Sequence, residues 1–196
     1  MMKNLYCFDF DGTLTKHDTL FMFLKYFNQK RYYAQFIKHI PLFFLYKIRL
    51  VEAGRIKKSF IRSILHGASC EVLQNLANSF FKEKFTIICR ESAVEFLEKL
   101  DREKNDCLLV SASLDIWVKP FADHFKMELV STKAKFENNL FTGDFLTKNC
   151  NGKEKVYRIQ KAIEGKKYKQ IIAFGDSVGD REMLAWADVA HYRFFH

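Results

Sequence analysis

The sequence predicts an α/β fold: a parallel, Rossmann-like sheet with an all-helical segment inserted near its start. Three observations carry that reading. Short apolar runs of strand composition alternate with stretches of helical periodicity, the order expected of a parallel sheet. Three polar signatures, DFDGT at 9–13, SAS at 111–113 and GDSVGD at 175–180, each follow directly on such a run. Parallel sheets bind ligands just beyond those strand ends. Finally, the net charge of +9 falls wholly between Lys16 and Ile88, where 13 Lys and Arg stand against four Asp and Glu.

Taken in order, Leu5–Phe8 is apolar and aromatic and reads as a buried strand. Apolar residues at 20, 21, 23, 24 and 27 predict a helix over Asp18–Gln29, capped by Asp18 or Thr19. A second apolar stripe over Arg31–Val51 is helical, with an interruption expected at Pro41. Further helices fit Gly54–Leu65 and Cys70–Lys84, and a long one fits Ile87–Lys104. The polar pair Asn105-Asp106 then turns the chain into a strand over Cys107–Val110. A helix over Asp115–Phe125 and a strand over Glu128–Ser131 follow. Asn138-Asn139 between apolar runs predicts a hairpin over Lys135–Leu146. Helix Lys153–Glu164, strand Gln170–Phe174, helix Arg181–Ala187 and strand Val189–Phe194 complete the chain.

Composition narrows the function classes. With 196 residues, 48% hydrophobic and 16% aromatic, the chain builds a packed core, and disorder is excluded. Its size fits one domain with an insertion, or two small ones. Five cysteines without a C-x-x-C pair read as reduced thiols of a cytoplasmic protein, not a zinc site or disulfide framework. The charge-free run Ile40–Tyr46 is far shorter than the ~20 residues a membrane-spanning helix needs, and no signal peptide is expected. The basic segment is suited to something anionic.

The chemistry is concentrated at the strand ends. On an extended backbone Asp9 and Asp11 point the same way, and two adjacent carboxylates call for a hard cation such as Mg²⁺. Gly12 and Thr13 turn the chain and offer backbone N–H groups to an anion. Ser111 offers a hydroxyl, with the Ala112 N–H behind it, and Lys155 a fixed positive charge. Asp176 and Asp180 add carboxylates for a metal. Together these parts describe phosphoryl transfer with one carboxylate as nucleophile.

DFDGTLT, VSAS, KEKV and GDSVGD resemble the four motifs of the haloacid dehalogenase superfamily of phosphohydrolases. The intervening helices resemble the C1-type cap of its phosphoserine-phosphatase-like branch, subfamily IB. The resemblance implies a catalytic core over 1–15 and 89–196, and a helical cap over 16–88. It implies that Asp9 is the nucleophile and forms an aspartyl phosphate, and that Asp11 is the general acid and base while lending Mg²⁺ its backbone carbonyl. Gly12, Ser111, Ala112 and Lys155 would hold the phosphoryl group, and Asp9, Asp11, Asp176 and Asp180 the metal. Lys153 is the rival of Lys155, which is preferred because Ile159 and Ala162 follow it at the family's apolar spacing. Asp18 and Arg62 stand in place of the substrate-binding Glu and Arg of phosphoserine phosphatases. Asp18 replaces their Glu and Gly179 their Asn, so serine phosphate is the alternative substrate rather than the first.

GDSVGD and the run from Cys150 to Lys155 are more similar to a neighbouring set that includes bacterial phosphatidylglycerophosphate phosphatases. The expected substrate is a small phosphorylated metabolite or a lipid phosphate. An anionic membrane surface is an expected partner of residues 31–62, through Tyr32, Tyr33, Phe36, Phe43, Phe44 and Tyr46 interleaved with Lys38, Lys47, Arg49, Arg55, Lys57, Lys58 and Arg62. The opposing expectation is that these aromatics form the cap's own core. No specific nucleic-acid partner is expected. Two other classes compete with an enzyme: a phospho-receiver module, which lacks the cap and the acidic pair after its Lys, and a polyanion-binding module.

Overall fold

A computed structural model describes the backbone of residues 2–47 and 53–196. Expectations placed on Arg49 and Val51, and on the side chains of Phe43, Tyr46 and Lys47, fall outside the described residues. Five parallel strands form the central sheet in the order β3-β2-β1-β6-β7. They are β1 (Asn4–Asp9), β2 (Asn105–Leu114), β3 (Glu128–Thr132), β6 (Ile171–Gly175) and β7 (Val189–Tyr192). A separate hairpin pairs β4 (Ala134–Glu137) with β5 (Leu140–Phe145). Asn138 and Asn139 both take positive φ, 47° and 66°, the conformation a tight two-residue hairpin requires.

The sheet is covered on both faces because its strands alternate apolar residues to either side. In β1, Leu5 and Cys7 join Ile159 of α7 (Lys153–Ala162) and Met183 of α8 (Arg181–Trp186) in one cluster. Phe8, two-fold out of phase, joins Leu97 of α5 (Glu91–Lys99) and Trp117 and Phe121 of α6 (Asp115–His124) in the other. Four helices stand between β1 and α5: α1 (Thr19–Phe27), α2 (Gln29–Lys47), α3 (Ala53–Leu65) and α4 (Cys70–Ile88). Their core is continuous with the second cluster. Phe23 of α1 stacks on Trp117 at 5.1 Å, and Phe80 of α4 meets Phe121 edge-on at 6.4 Å.

Three elements differ from expectation. The predicted break at Pro41 is absent, and α2 runs straight through it. Pro41 removes the donor for the Ile37 carbonyl, but Ile37 is 65% exposed, so the loss falls on the solvent side of the helix, where it costs least. The long helix expected over Ile87–Lys104 is two helices, α4 ending at Ile88 and α5 starting at Glu91. Cys89 and Arg90 are extended instead, because this stretch pairs with the chain leaving the β1 turn. Thr15 bridges Cys89, Lys16 N–H donates to Ile88 at 2.8 Å, and Arg90 N–H donates to Leu14 at 2.9 Å. Lastly, β2 runs beyond Val110 through the SAS signature to Leu114, with an irregularity in its pairing to β3 between Ser111 and Leu114.

Candidate active site

The site lies at the carboxyl ends of β1, β2 and β6, where β1 is flanked by a strand that follows it and one from much later in the chain. Asp9 is the last residue of β1 and shares the parity of Leu5 and Cys7, so it lies on the α7 side. There its Oδ1 accepts from Lys155 Nζ at 2.5 Å. The same ammonium donates to Asp180 Oδ1 at 2.5 Å. Lys155, Asp9 and Asp180 are 2%, 5% and 0% exposed, so this charge triad is closed to bulk water. Lys153, its rival, is on the exposed face of α7.

Asp176 follows β6, and one carboxylate oxygen from each of Asp9, Asp176 and Asp180 falls within 4.8 Å of the others. Thr13 ties the group together, its hydroxyl reaching Asp9 Oδ2 at 3.0 Å and Asp176 Oδ1 at 3.2 Å. Asp180 Oδ2 accepts from the Ser177 hydroxyl at 2.7 Å and its N–H at 3.0 Å. Burial pushes the Asp9 carboxyl up to about 7; Lys155 opposes this, and Asp180 and Asp11 add to it. Asp176 is raised by burial and by Asp180. Asp180 is held below the usual carboxylate range: burial works against it, but Lys155 and Ser177 stabilise the anion. Desolvation disfavours the Lys155 ammonium, yet its two carboxylates raise it overall.

Asp11 does not join this group in the structure. The strand ends at Asp9, and a wide turn over Phe10–Leu14 redirects the chain, so the period-two argument no longer applies to Asp11. The turn hinges on Gly12, at φ 89°, where a Cβ would meet the Asp176 carboxylate at 2.5 Å. Asp11 Oδ1 accepts from the Thr19 N–H at 2.7 Å and the Thr19 hydroxyl at 2.6 Å. Its Oδ2 accepts from Ser113 at 2.6 Å and, at 3.4 Å, from Ser111. Trp117 Nε1 completes the chain by donating to the Thr19 hydroxyl at 3.0 Å.

The other expected residues are distributed as follows. The Gly12 N–H, expected to face an anion, donates to the Thr15 hydroxyl at 3.0 Å. The Ala112 carbonyl accepts from Thr132 at 3.0 Å and from Lys57 Nζ, a residue of α3, at 3.1 Å. Asp18 caps α1 by accepting from Leu20 N–H at 2.9 Å. The residue as a whole is exposed, but desolvation of its carboxylate and the charge of Asp11 push it up to about 6, with Lys57 opposing. Arg62 lies along β5, its stem against Gly143.

Four contributors escaped the sequence reading. Motif position marks the Thr13 backbone but not its hydroxyl, does not single out Ser113, and marks Thr19 only as a helix cap. Arg90 left no local signal. Its guanidinium donates to the carbonyls of Thr15 at 3.2 Å and Gly12 at 3.3 Å across 75 and 78 residues of chain. Thr19→Val is expected to lower stability by about 1–3 kcal/mol, since it strands the buried Trp117 N–H and removes a donor from Asp11. A urea melt checks this, with Thr19→Ser expected to stay within ~0.5 kcal/mol of the parent.

Comparison with known proteins places this geometry in a family. The model of the haloacid dehalogenase-like hydrolases matches residues 7–185. Protein CicA of Caulobacter vibrioides is 32% identical over 193 residues, covering 97% of this chain and 86% of its own. Among solved structures, a protein of unknown function from Bordetella pertussis Tohama I superposes with a TM-score of 0.83 at 18% identity, covering 95% of this chain and 88% of its own. A phosphoserine phosphatase, solved as a phospho-aspartyl intermediate analogue, gives a TM-score of 0.61 at 20% identity, covering 95% and 84%.

Proposed function

The chain belongs to the haloacid dehalogenase-like hydrolases, and on that premise we propose that it is a Mg²⁺-dependent phosphomonoester hydrolase working through an aspartyl phosphate on Asp9. The observation that carries this reading is the buried ammonium of Lys155 between Asp9 and Asp180, with Asp176 completing a three-carboxylate set. A structural ion pair would need one carboxylate. Three around one lysine crowd carboxylates into a largely buried site, and an added cation offsets their mutual repulsion.

The donor set fits Mg²⁺. It is all oxygen, it is anionic, and its atoms lie close enough to share one small ion. Asp9, Asp176 and Asp180 would hold it, with the Asp11 main-chain carbonyl as a further oxygen. When bound, the ion supplies positive charge against the phosphoryl oxygens.

The protein groups divide the work in two half-reactions. Asp9 attacks phosphorus, the bond from phosphorus to the ester oxygen breaks, and Asp11 gives that oxygen its proton. Water then attacks the aspartyl phosphate, Asp11 takes its proton, and inorganic phosphate leaves with Asp9 restored. Asp11 Oδ2 suits this role, because it is held by hydroxyls that rotate, whereas Oδ1 is anchored by the Thr19 N–H. Lys155, Ser111 and the main chain at Ala112 hold the transferring group, the Gly12 N–H being taken by the Thr15 hydroxyl.

In this reading residues 16–88 are a cap over a core formed by 1–15 and 89–196. Lys57 reaches from the cap to the SAS segment of β2 through its bond to the Ala112 carbonyl. The substrate is a small phosphorylated metabolite or a lipid phosphate. Serine phosphate fits less well, because Arg62 packs on β5. No helix among the described residues is long and apolar enough to cross a membrane; the reading places the protein in the cytoplasm, peripheral to the inner membrane surface.

The test is release of p-nitrophenol from p-nitrophenyl phosphate. Activity should fall at least ~100-fold after complete chelation and return with Mg²⁺. Undiminished turnover in chelator would remove the metal from the assignment.

A further inference from the structure

Helix α2 is apolar on two faces, and among the described residues the chain covers only one of them. On the inner face Tyr32 meets Phe60 of α3 edge-on at 5.7 Å, and His39, 7% exposed, reaches Ser59 at 3.1 Å. Tyr33, Ile37, Ile40 and Phe44 recur at spacings of four, three and four, so they form one stripe along the helix. They are 46%, 65%, 52% and 63% exposed. A surface helix normally presents charge there, and a contiguous apolar stripe marks a contact surface.

The charges around the stripe select the partner. Between Thr19 and Val51 there are six Lys and Arg and no Asp or Glu. Lys30, Arg31 and Lys38 are exposed on α2 itself. A second copy of this chain would set the same basic helix against itself, and an acid-free surface of this kind repels its own image. An anionic bilayer complements it. Apolar side chains enter the headgroup boundary while the lysines stay at the level of the lipid charges.

Three of the cations expected to meet a membrane, Lys57, Lys58 and Arg62, are turned toward the protein itself. Lys57 bonds Ala112, Lys58 pairs with Asp144 of β5 at 2.5 Å, and the Arg62 stem lies on Gly143. We infer that the outward stripe Tyr33-Ile37-Ile40-Phe44, with Lys25 over the Tyr33 ring and Lys30 beside it, docks the protein on an anionic lipid surface. This deepens the functional reading above by naming the face that meets the membrane, and it does not require the phosphatase chemistry to be correct. Because α2 packs on α3, and α3 carries Lys57, the docking helix lies one layer from the catalytic loop.

The test is co-sedimentation with vesicles of phosphatidylcholine alone and of equal parts phosphatidylcholine and phosphatidylglycerol. The parent should pellet with the anionic vesicles only, and less as salt rises. The double variant Ile37→Asp/Ile40→Asp should lose at least ~10-fold in partitioning, while its melting curve and aryl phosphate turnover stay as in the parent. Both positions are exposed and outside the site, so inactive parent protein would count against the phosphatase reading alone. Docking is overturned if the parent stays in the supernatant at low salt, or if the double variant binds equally well. It is also overturned if the parent is a dimer that ignores vesicles and the variant a monomer.

Discussion

Asp9→Asn is expected to reduce phosphate release by ~10⁴-fold or more, to the level of the uncatalysed background. An amide nitrogen and oxygen cannot form the acyl phosphate, so no residual route runs through this position. The substitution is nearly isosteric, Lys155 can still donate to the amide oxygen and the Thr13 hydroxyl can accept from the amide NH2, so folding should survive. Trapping by beryllium fluoride, which mimics the phosphoryl group on a carboxylate, should vanish with turnover. Asp11→Asn provides the contrast. It should still accept a phosphoryl group from an activated ester, whose leaving oxygen needs little protonation, but should release it slowly. Single-turnover kinetics with rapid quenching separate the two. A fully active Asp9→Asn protein would remove Asp9 from the role of nucleophile, and equal damage to both half-reactions in Asp11→Asn would contradict the division of labour.

Lys155→Met should have the next largest effect, and it acts on stability as well as turnover. Methionine matches the length and fills the space, but it leaves Asp9 and Asp180 facing each other with no counter-charge. Both carboxylates are buried, so removing the shared partner should lower stability by about 3–5 kcal/mol in chelator at pH 7.5. The deficit should shrink on acidification, because protonated carboxylates no longer need the ammonium. Mg²⁺ should recover part of it by binding the folded form. Urea melts at two pH values, with and without the ion, read all of these. A deficit that is small and independent of pH would mean that the triad is already neutral in the parent protein.

Much of this molecule was legible in its sequence because the relevant signals are local. The apolar run of β1, the Asn138-Asn139 turn and the N-cap at Asp18 each depend on a few neighbouring residues, and each is where it was expected. The strands that lead to Asp9 and Asp176 are readable for the same reason, whereas the strand expected to end before Ser111 runs on to Leu114. What was not legible depends on pairing between distant segments. The helix predicted over 87–104 breaks because Cys89 and Arg90 are recruited as extended partners of Thr15 and Leu14, a competition that helical periodicity does not register. Asp11 was placed by extrapolating a strand one turn too far. Its actual partners, Thr19 and Ser113, are hydroxyls whose meaning appears only once α1 and β2 are brought together. The basic residues of α3 were read as one surface because composition counts charges without direction; the structure turns Lys57 and Lys58 toward Ala112 and Asp144.

The unbroken core between the inserted helices and the sheet bears on how such a chain can change through descent. A helical segment joined only at its two ends could drift, lengthen or be exchanged to suit a new substrate while the chemistry stayed intact. Here Phe23 of α1 stacks on Trp117, Trp117 holds the Thr19 hydroxyl, and Thr19 holds Asp11. A replacement at Phe23 that tilts the indole therefore reaches the carboxylate assigned to proton transfer in two contacts. Substitutions on the outward side of α2 have no such path, so selection can vary what this protein rests against far more freely than the helices that touch Trp117.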